Sequence, residues 1–179
     1  VGLSIGARQV DIETTVINNA KDHRLRLNLP TGIQSQTYFA NQAFTFVERR
    51  TGIDFGTQDW KECEVPEKQM GGIVGKRAED GTGLAFISAY GLHECAGLDD
   101  SMGSIYVTLF RSFRKTVMTN GEEGGQIQGE LKFRYCLMPS HKEDSYADMA
   151  RTQDRLAAGM QSTSFRVPAG YELQQAQSY

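Results

Sequence analysis

A chain of 179 residues with 39% hydrophobic and 9% aromatic content carries enough apolar surface for one sizeable core, which excludes a disordered or fibrous protein. Its 19 Lys and Arg against 22 Asp and Glu leave a formal net charge of -3, so no broad positive field is present to hold a nucleic-acid backbone. No apolar run reaches the roughly 18–20 residues that cross a bilayer, and the N-terminus lacks the basic, apolar and small-residue order of a secretory signal, so the expectation is a cytoplasmic protein with no membrane or nucleic-acid partner.

The first residues to show a period are Val10, Ile12, Thr14 and Val16, alternating with Asp11, Glu13 and Thr15, which predicts a strand with one wet face. Residues 24–29 repeat the pattern, with Leu25, Leu27 and Leu29 against Arg24, Arg26 and Asn28. The turn chemistry of residues 18–22 between them predicts a hairpin of these two strands. Further strands are expected at 44–49, 72–77, 84–90, 105–110 and 127–137, separated by polar or Gly-bearing loops, which is the spacing of a mainly antiparallel sandwich. After Pro139 the period changes. Tyr146, Met149, Ala150, Gln153, Leu156, Ala157 and Met160 recur at three- and four-residue steps, predicting one amphipathic helix over about 143–161 with Glu143 and Asp144 in its first turn. The Gln-rich stretch at about 169–179 reads as a loosely ordered tail. The expectation for 1–179 is thus a single all-β sandwich domain of super-sandwich type with one helix near its C-terminus. A first residue Val1 rather than Met adds the expectation of a segment taken from a longer polypeptide. Cys63, Cys95 and Cys136 are odd in number and lie in or beside apolar runs, which fits reduced, buried thiols rather than a disulfide framework.

Several runs in order resemble the C-terminal β-sandwich region of glycoside hydrolase family 38, the α-mannosidases and mannosylglycerate hydrolases. They are Asp22-His23-Arg24-Leu25-Arg26-Leu27 with Pro30-Thr31-Gly32; the segment from Ala40 to Arg49 ending Val47-Glu48-Arg49; and Gly83-Leu84-Ala85-Phe86 leading to Tyr90-Gly91-Leu92-His93-Glu94. Val107-Thr108-Leu109-Phe110-Arg111-Ser112 follows, and Gln128-Gly129-Glu130 with Phe133-Arg134-Tyr135-Cys136-Leu137-Met138-Pro139 closes the series. The resemblance covers roughly residues 11–139. It implies a non-catalytic segment of a retaining α-mannosidase-like hydrolase, partnered by the N-terminal catalytic domain of the same polypeptide and acting on a mannoside. In that family a nucleophilic Asp and a zinc ion held by His and Asp sit in an N-terminal barrel, and no run here matches those motifs. No catalytic residue and no metal ligand is therefore expected in this chain, with zinc expected only in the parent's catalytic domain.

A retaining glycosidase needs two carboxylates about 5–5.5 Å apart, whereas the adjacent pairs Asp99-Asp100, Glu122-Glu123 and Glu143-Asp144 read as solvated or capping charges. His93 and Cys95 would share a strand face but are one pair and not a metal site. Arg111 is the foremost candidate for substrate binding: in the resembled family an Arg near the end of this strand can reach towards the sugar pocket, and a guanidinium presents planar donors to hydroxyls or carboxylates. The competing reading is a strand-end Arg bridged to a neighbouring acid. Tyr90, His93 and Glu94 form a second candidate edge beside Gly91, and Trp60 could stack on a sugar ring or simply cover a core edge. A free-standing carbohydrate-binding module would need clustered exposed aromatics, and Trp60, with Tyr38 and Tyr106 placed in core strands, argues against it. A structural or homo-oligomerisation domain remains open.

Overall fold

The computed structural model describes residues 1–89, 91–114 and 123–158. Among them the chain forms β1 (Val10–Asn18), β2 (His23–Leu29), β3 (Thr37–Asn41), β4 (Phe46–Arg50), β5 (Lys68–Gln69), β6 (Ile73–Arg77), β7 (Gly83–Ser88), β8 (Glu94–Gly97), β9 (Ile105–Ser112), β10 (Gly129–Ser140) and α1 (Tyr146–Ala158). A six-stranded sheet runs β1-β10-β7-β6-β3-β4 and a four-stranded sheet runs β2-β9-β8-β5. All strand pairs are antiparallel, so the expected sandwich with one helix is what forms.

Between the sheets, Val74, Phe86 and Tyr135 of the larger one meet Cys95, Ile105 and Val107 of the smaller. The opposite face of the larger sheet buries Phe39, Ile73, Ile87, Cys136 and Met138 against Met149 and Leu156 of α1. β6 and β7 are therefore covered on both faces, which is why Leu84-Ala85-Phe86-Ile87 and Ile73-Val74 are continuous apolar runs rather than alternating ones. β10 lies between β1 and β7. Pro139 is tolerated in β10 because β1 begins opposite Leu137, leaving no β1 residue opposite Pro139. The close approach also fixes Gly75, where a Cβ would stand 2.3 Å from Phe39 Cζ and 2.7 Å from the Leu84 carbonyl oxygen.

The hairpin expected of the first two strands does not form. β1 pairs with β10 and β2 with β9, so residues 18–22 carry the chain from one sheet to the other. The turn chemistry is real: Asn18 Oδ1 accepts the Ala20 N–H at 3.1 Å, and Asp22 adopts φ 55°. The two apolar faces, however, bury more by opposing each other across the core, where Ile12 and Leu27 pack on the same cluster. Tyr38, placed in a core strand, lies in β3, and Cys95, placed on a strand, lies in β8, although no range was expected for either strand, and β5 was not expected at all. The expected strands at 44–49, 72–77, 84–90, 105–110 and 127–137 are realised as β4, β6, β7, β9 and β10 with shifted ends, and Phe44, expected in a strand, stands fully exposed in the β3–β4 turn.

The helix starts three residues later than its acidic pair suggests. Ser145 caps it: its Oγ accepts the Asp148 N–H at 3.3 Å, while Asp148 Oδ2 takes the Ser145 N–H at 3.1 Å, a reciprocal capping box. Asp144, read from sequence as a solvated or capping charge, is a buried carboxylate just ahead of the helix that accepts the His141 N–H at 2.8 Å and pairs with Arg8, tying the N-terminal segment to the helix entry. The expected helical positions 159–161 and the tail at 169–179 lie outside the described residues. Of the three free thiols, Cys95 and Cys136 are buried as expected, and burial pushes both up to about 12; Cys63 is exposed, because the segment around it is polar and belongs to neither sheet.

Two outcomes follow. Phe86, with no exposed surface, should cost about 3–5 kcal/mol when replaced by Ala, read from urea unfolding midpoints at unchanged slope. Asp144 is held below the usual carboxylate range chiefly by the Arg8 hydrogen bond, and Asp148 chiefly by that of Ser145. Both bind protons less readily folded than unfolded, so the stability they supply is present above the ordinary value of about 3.9 and is lost as pH falls through their depressed values. Melting temperature should therefore drop below about pH 4, and Asp144→Asn should make that drop shallower; an unchanged acid limb would show that the Arg8 contact carries no stability.

Candidate functional site

The outer face of the four-stranded sheet carries two of the side chains singled out from sequence, Arg111 and Glu94, among other polar residues. β2 supplies Arg24 and Arg26, β9 supplies Tyr106, Thr108 and Arg111, and β8 supplies Glu94. Simple alternation from Ile105 and Val107, which face the core, would turn Arg111 inward as well. The register prevents it. Leu25 pairs with Phe110 and Arg26 with Thr108, so Leu109 is an extra residue without a β2 partner. This bulge resets the alternation: Phe110 enters the core edge, its ring 5.4 Å from His23 and 6.3 Å from Phe133, and Arg111 emerges beside Glu94.

Glu94 is the hub. Its Oε1 accepts Arg24 Nη1 at 3.0 Å and Thr108 Oγ1 at 2.7 Å, and its Oε2 pairs with Arg111 Nη2. Glu67, just before β5, accepts Arg24 Nη2 at 2.9 Å and Arg26 Nη1 at 3.0 Å through one oxygen. The Arg26 guanidinium also lies 4.8 Å above the Tyr106 ring. Three guanidiniums thus share two carboxylates, leaving one positive charge in excess. The carboxylates are the more shielded partners, at 16% and 18% exposure, whereas Arg111 is 48% exposed and so keeps donors directed to solvent.

The structure brings Arg111 and Glu94 into direct contact. His93 lies next to them in sequence but precedes β8 and is exposed, whereas Cys95 is buried, so the shared strand face expected for His93 and Cys95 is not realised. Trp60 stands 67% exposed on the segment between β4 and β5. Tyr90 lies outside the described residues. Tyr38 is buried as placed, but Tyr106 belongs to the outer face rather than the core. Sequence reasoning missed Glu67, Arg24 and Arg26 as partners in this site. The Arg-x-Arg alternation signalled a shared wet face, but nothing local showed that residues 67 and 94 would come to lie beside it.

A double-mutant cycle on Arg111→Ala and Glu94→Ala should give a coupling of about 0.2–1 kcal/mol, the range of solvent-screened pairs, shrinking as salt is raised. A coupling that is nil at low salt would remove Glu94 as the anchor of Arg111.

No family profile matches the chain. No curated protein sequence matches it either. Solved structures do. An α-mannosidase from Enterococcus faecalis V583 superposes with a TM-score of 0.71 at 26% identity, covering 84% of this chain and 16% of that one. A protein in glycosyl hydrolase family 38 from Enterococcus faecalis gives a TM-score of 0.67 at 26% identity, covering 84% of this chain and 17% of the other. The chain spans only about a sixth of the length of these structures. The resemblance to the C-terminal β-sandwich region of glycoside hydrolase family 38 is thus borne out in fold as well as in sequence, over most of the chain.

Proposed function

We propose that this chain is a non-catalytic sandwich segment of a larger retaining α-mannosidase-like hydrolase, where it supports the catalytic domain of the same polypeptide and presents Arg111 to the sugar-binding cleft. The observation that supports this most is the likeness to about a sixth of two family 38 chains. The bulge that aims Arg111 out of the sandwich and the half-exposed guanidinium that results give the segment a group suited to a sugar hydroxyl or carboxylate. His93, exposed next to Glu94 in the chain, and Trp60, exposed between β4 and β5, are assigned to the same sugar-facing role. Among the described residues no three His, Cys, Asp or Glu side chains converge to hold a metal ion. The zinc ion, like the nucleophile, is assigned to the catalytic domain of the parent. Glu94 is assigned the task of holding Arg111 rather than proton transfer, since both of its oxygens are engaged by cations or a hydroxyl.

Two measurements test this. The 179-residue chain alone, saturated with zinc, should not turn over an aryl α-mannoside, and turnover lost on mutation within this chain would overturn the non-catalytic assignment. In the longer polypeptide, Arg111→Ala should lower kcat/KM by one to two decades, the scale of a charge-assisted hydrogen bond of about 1.5–3 kcal/mol. The melting temperature should barely move, because a pair this exposed adds little to folding. Unchanged kinetics with a lowered melting temperature would assign Arg111 to structure.

A further inference from the structure

On the edge of the sandwich remote in sequence from Arg111, a cleft of about 750 Å³ lies where the end of β4 and the following turn meet the segment leading into β5. That is the size of a small-molecule site. Its walls carry three cations, Arg49, Arg50 and Lys68, and two carboxylates, Asp54 and Glu64. Both carboxylates are already committed. Glu64 Oε1 accepts Lys68 Nζ at 2.8 Å and its Oε2 accepts the Asp54 N–H at 2.8 Å, while Asp54 Oδ1 takes the Gly56 N–H at 2.8 Å. Glu64 is held below the usual carboxylate range, first by Lys68 and then by that N–H, so the Lys68–Glu64 pair stays charged and self-neutralising. Arg49 spends one N–H on a neutral acceptor, the Gln69 carbonyl, at 2.7 Å. Arg50 is exposed, and no hydrogen bond or ion pair holds its guanidinium among the described residues.

On a chain whose net charge is -3, Arg49 and Arg50 therefore both border one cleft from opposite faces of the end of β4, and neither has a carboxylate partner among the described residues. We propose that this cleft binds a small oxyanion, the carboxylate or phosphate group of a small organic ligand, gripped by Arg50, with the charge of Arg49 across the strand adding to the attraction. The fork of a guanidinium matches two oxygens of either group in one plane, and an anion there would complete the charge that Asp54 alone leaves unbalanced. Gly52, at φ 90°, turns the chain directly after Arg50 and Thr51, a backbone shape that other residues adopt only with strain. This inference does not depend on the assignment of Arg111 or on the hydrolase reading.

The test is an amide NMR titration of the full chain with inorganic phosphate and, separately, with acetate, at ionic strength held constant with chloride. Saturable shifts confined to residues 49–56 and 64–68 are expected from at least one anion. Arg50→Ala should weaken that binding about tenfold, the scale of one lost charge-assisted contact, and Arg50→Lys should fall between, keeping the charge without the fork. Response to phosphate alone would define the ligand group as a phosphate, and response to acetate would show that a carboxylate suffices. Shifts that do not saturate, shifts centred on Arg24, Arg26 and Arg111, or an Arg50→Ala variant that binds like the parent chain would overturn the proposal.

Discussion

Burial of the six-stranded sheet on both faces is the constraint from which the rest of the molecule follows. One face packs against the smaller sheet and the other against α1, so β6 and β7 have no wet side. Any polar group in them must be satisfied internally. Lys76 shows the consequence: it is 1% exposed, and its Nζ donates to the Leu98 carbonyl at 2.7 Å, with Asp99 and Asp100 close enough to oppose the fall in its pKa that burial produces. The buried ammonium thereby fixes the turn between β8 and β9, whose other end is held by Asp100 accepting the Ser104 N–H at 2.8 Å. The position of β9, and with it of Arg111, is tied through this turn to the doubly covered sheet.

The smaller sheet has the opposite arrangement. Its inner face is apolar, but its outer face is open, and the residues there neutralise one another instead of being covered. Thr108 is the exception in being both outward and buried, at 7% exposure, because Glu94 and the flanking arginines roof it. A face of this kind keeps its geometry through charge pairs that are individually weak but mutually orienting, each carboxylate fixing two or three donors.

The sequence was most legible where one face of an element is wet. The alternation of β1 and β2 and the three-to-four spacing of α1 reported their elements directly, because side chains on the solvent side are free to be polar. Legibility failed where burial is two-sided or the strand is short. Tyr38-Phe39-Ala40 in β3 has no alternation, since Tyr38 enters one core cluster and Phe39 the other. Glu94-Cys95-Ala96-Gly97 is too short and too small for its bounds to be read, and the strand placed around His93 and Cys95 begins only at Glu94. Pairing was less legible still: residues 18–22 have real turn chemistry, yet a local signal cannot say whether the next strand lies beside its predecessor or across the core from it. The helix start was misplaced because Asp144 was weighed by its charge alone, whereas the Ser145–Asp148 spacing held the capping signal.

The candidate site depends on an element that no pattern in the sequence disclosed, the bulge at Leu109. Arg111 was singled out from sequence for its place in a run that resembles family 38, yet parity from Val107 would have buried it. An inward guanidinium there would have entered the core edge that Phe110 and Ser112 occupy, far more costly than a half-solvated one. One unpaired residue converts that arrangement into an outward arginine braced by Glu94. Because Glu94 is already shared with Arg24 and Thr108, it orients Arg111 without consuming all of its donors. The charge count of the face points the same way: with three guanidiniums on two carboxylates, Arg111 is the most exposed of the three and engages a single carboxylate oxygen, so it is the one best able to take a further acceptor.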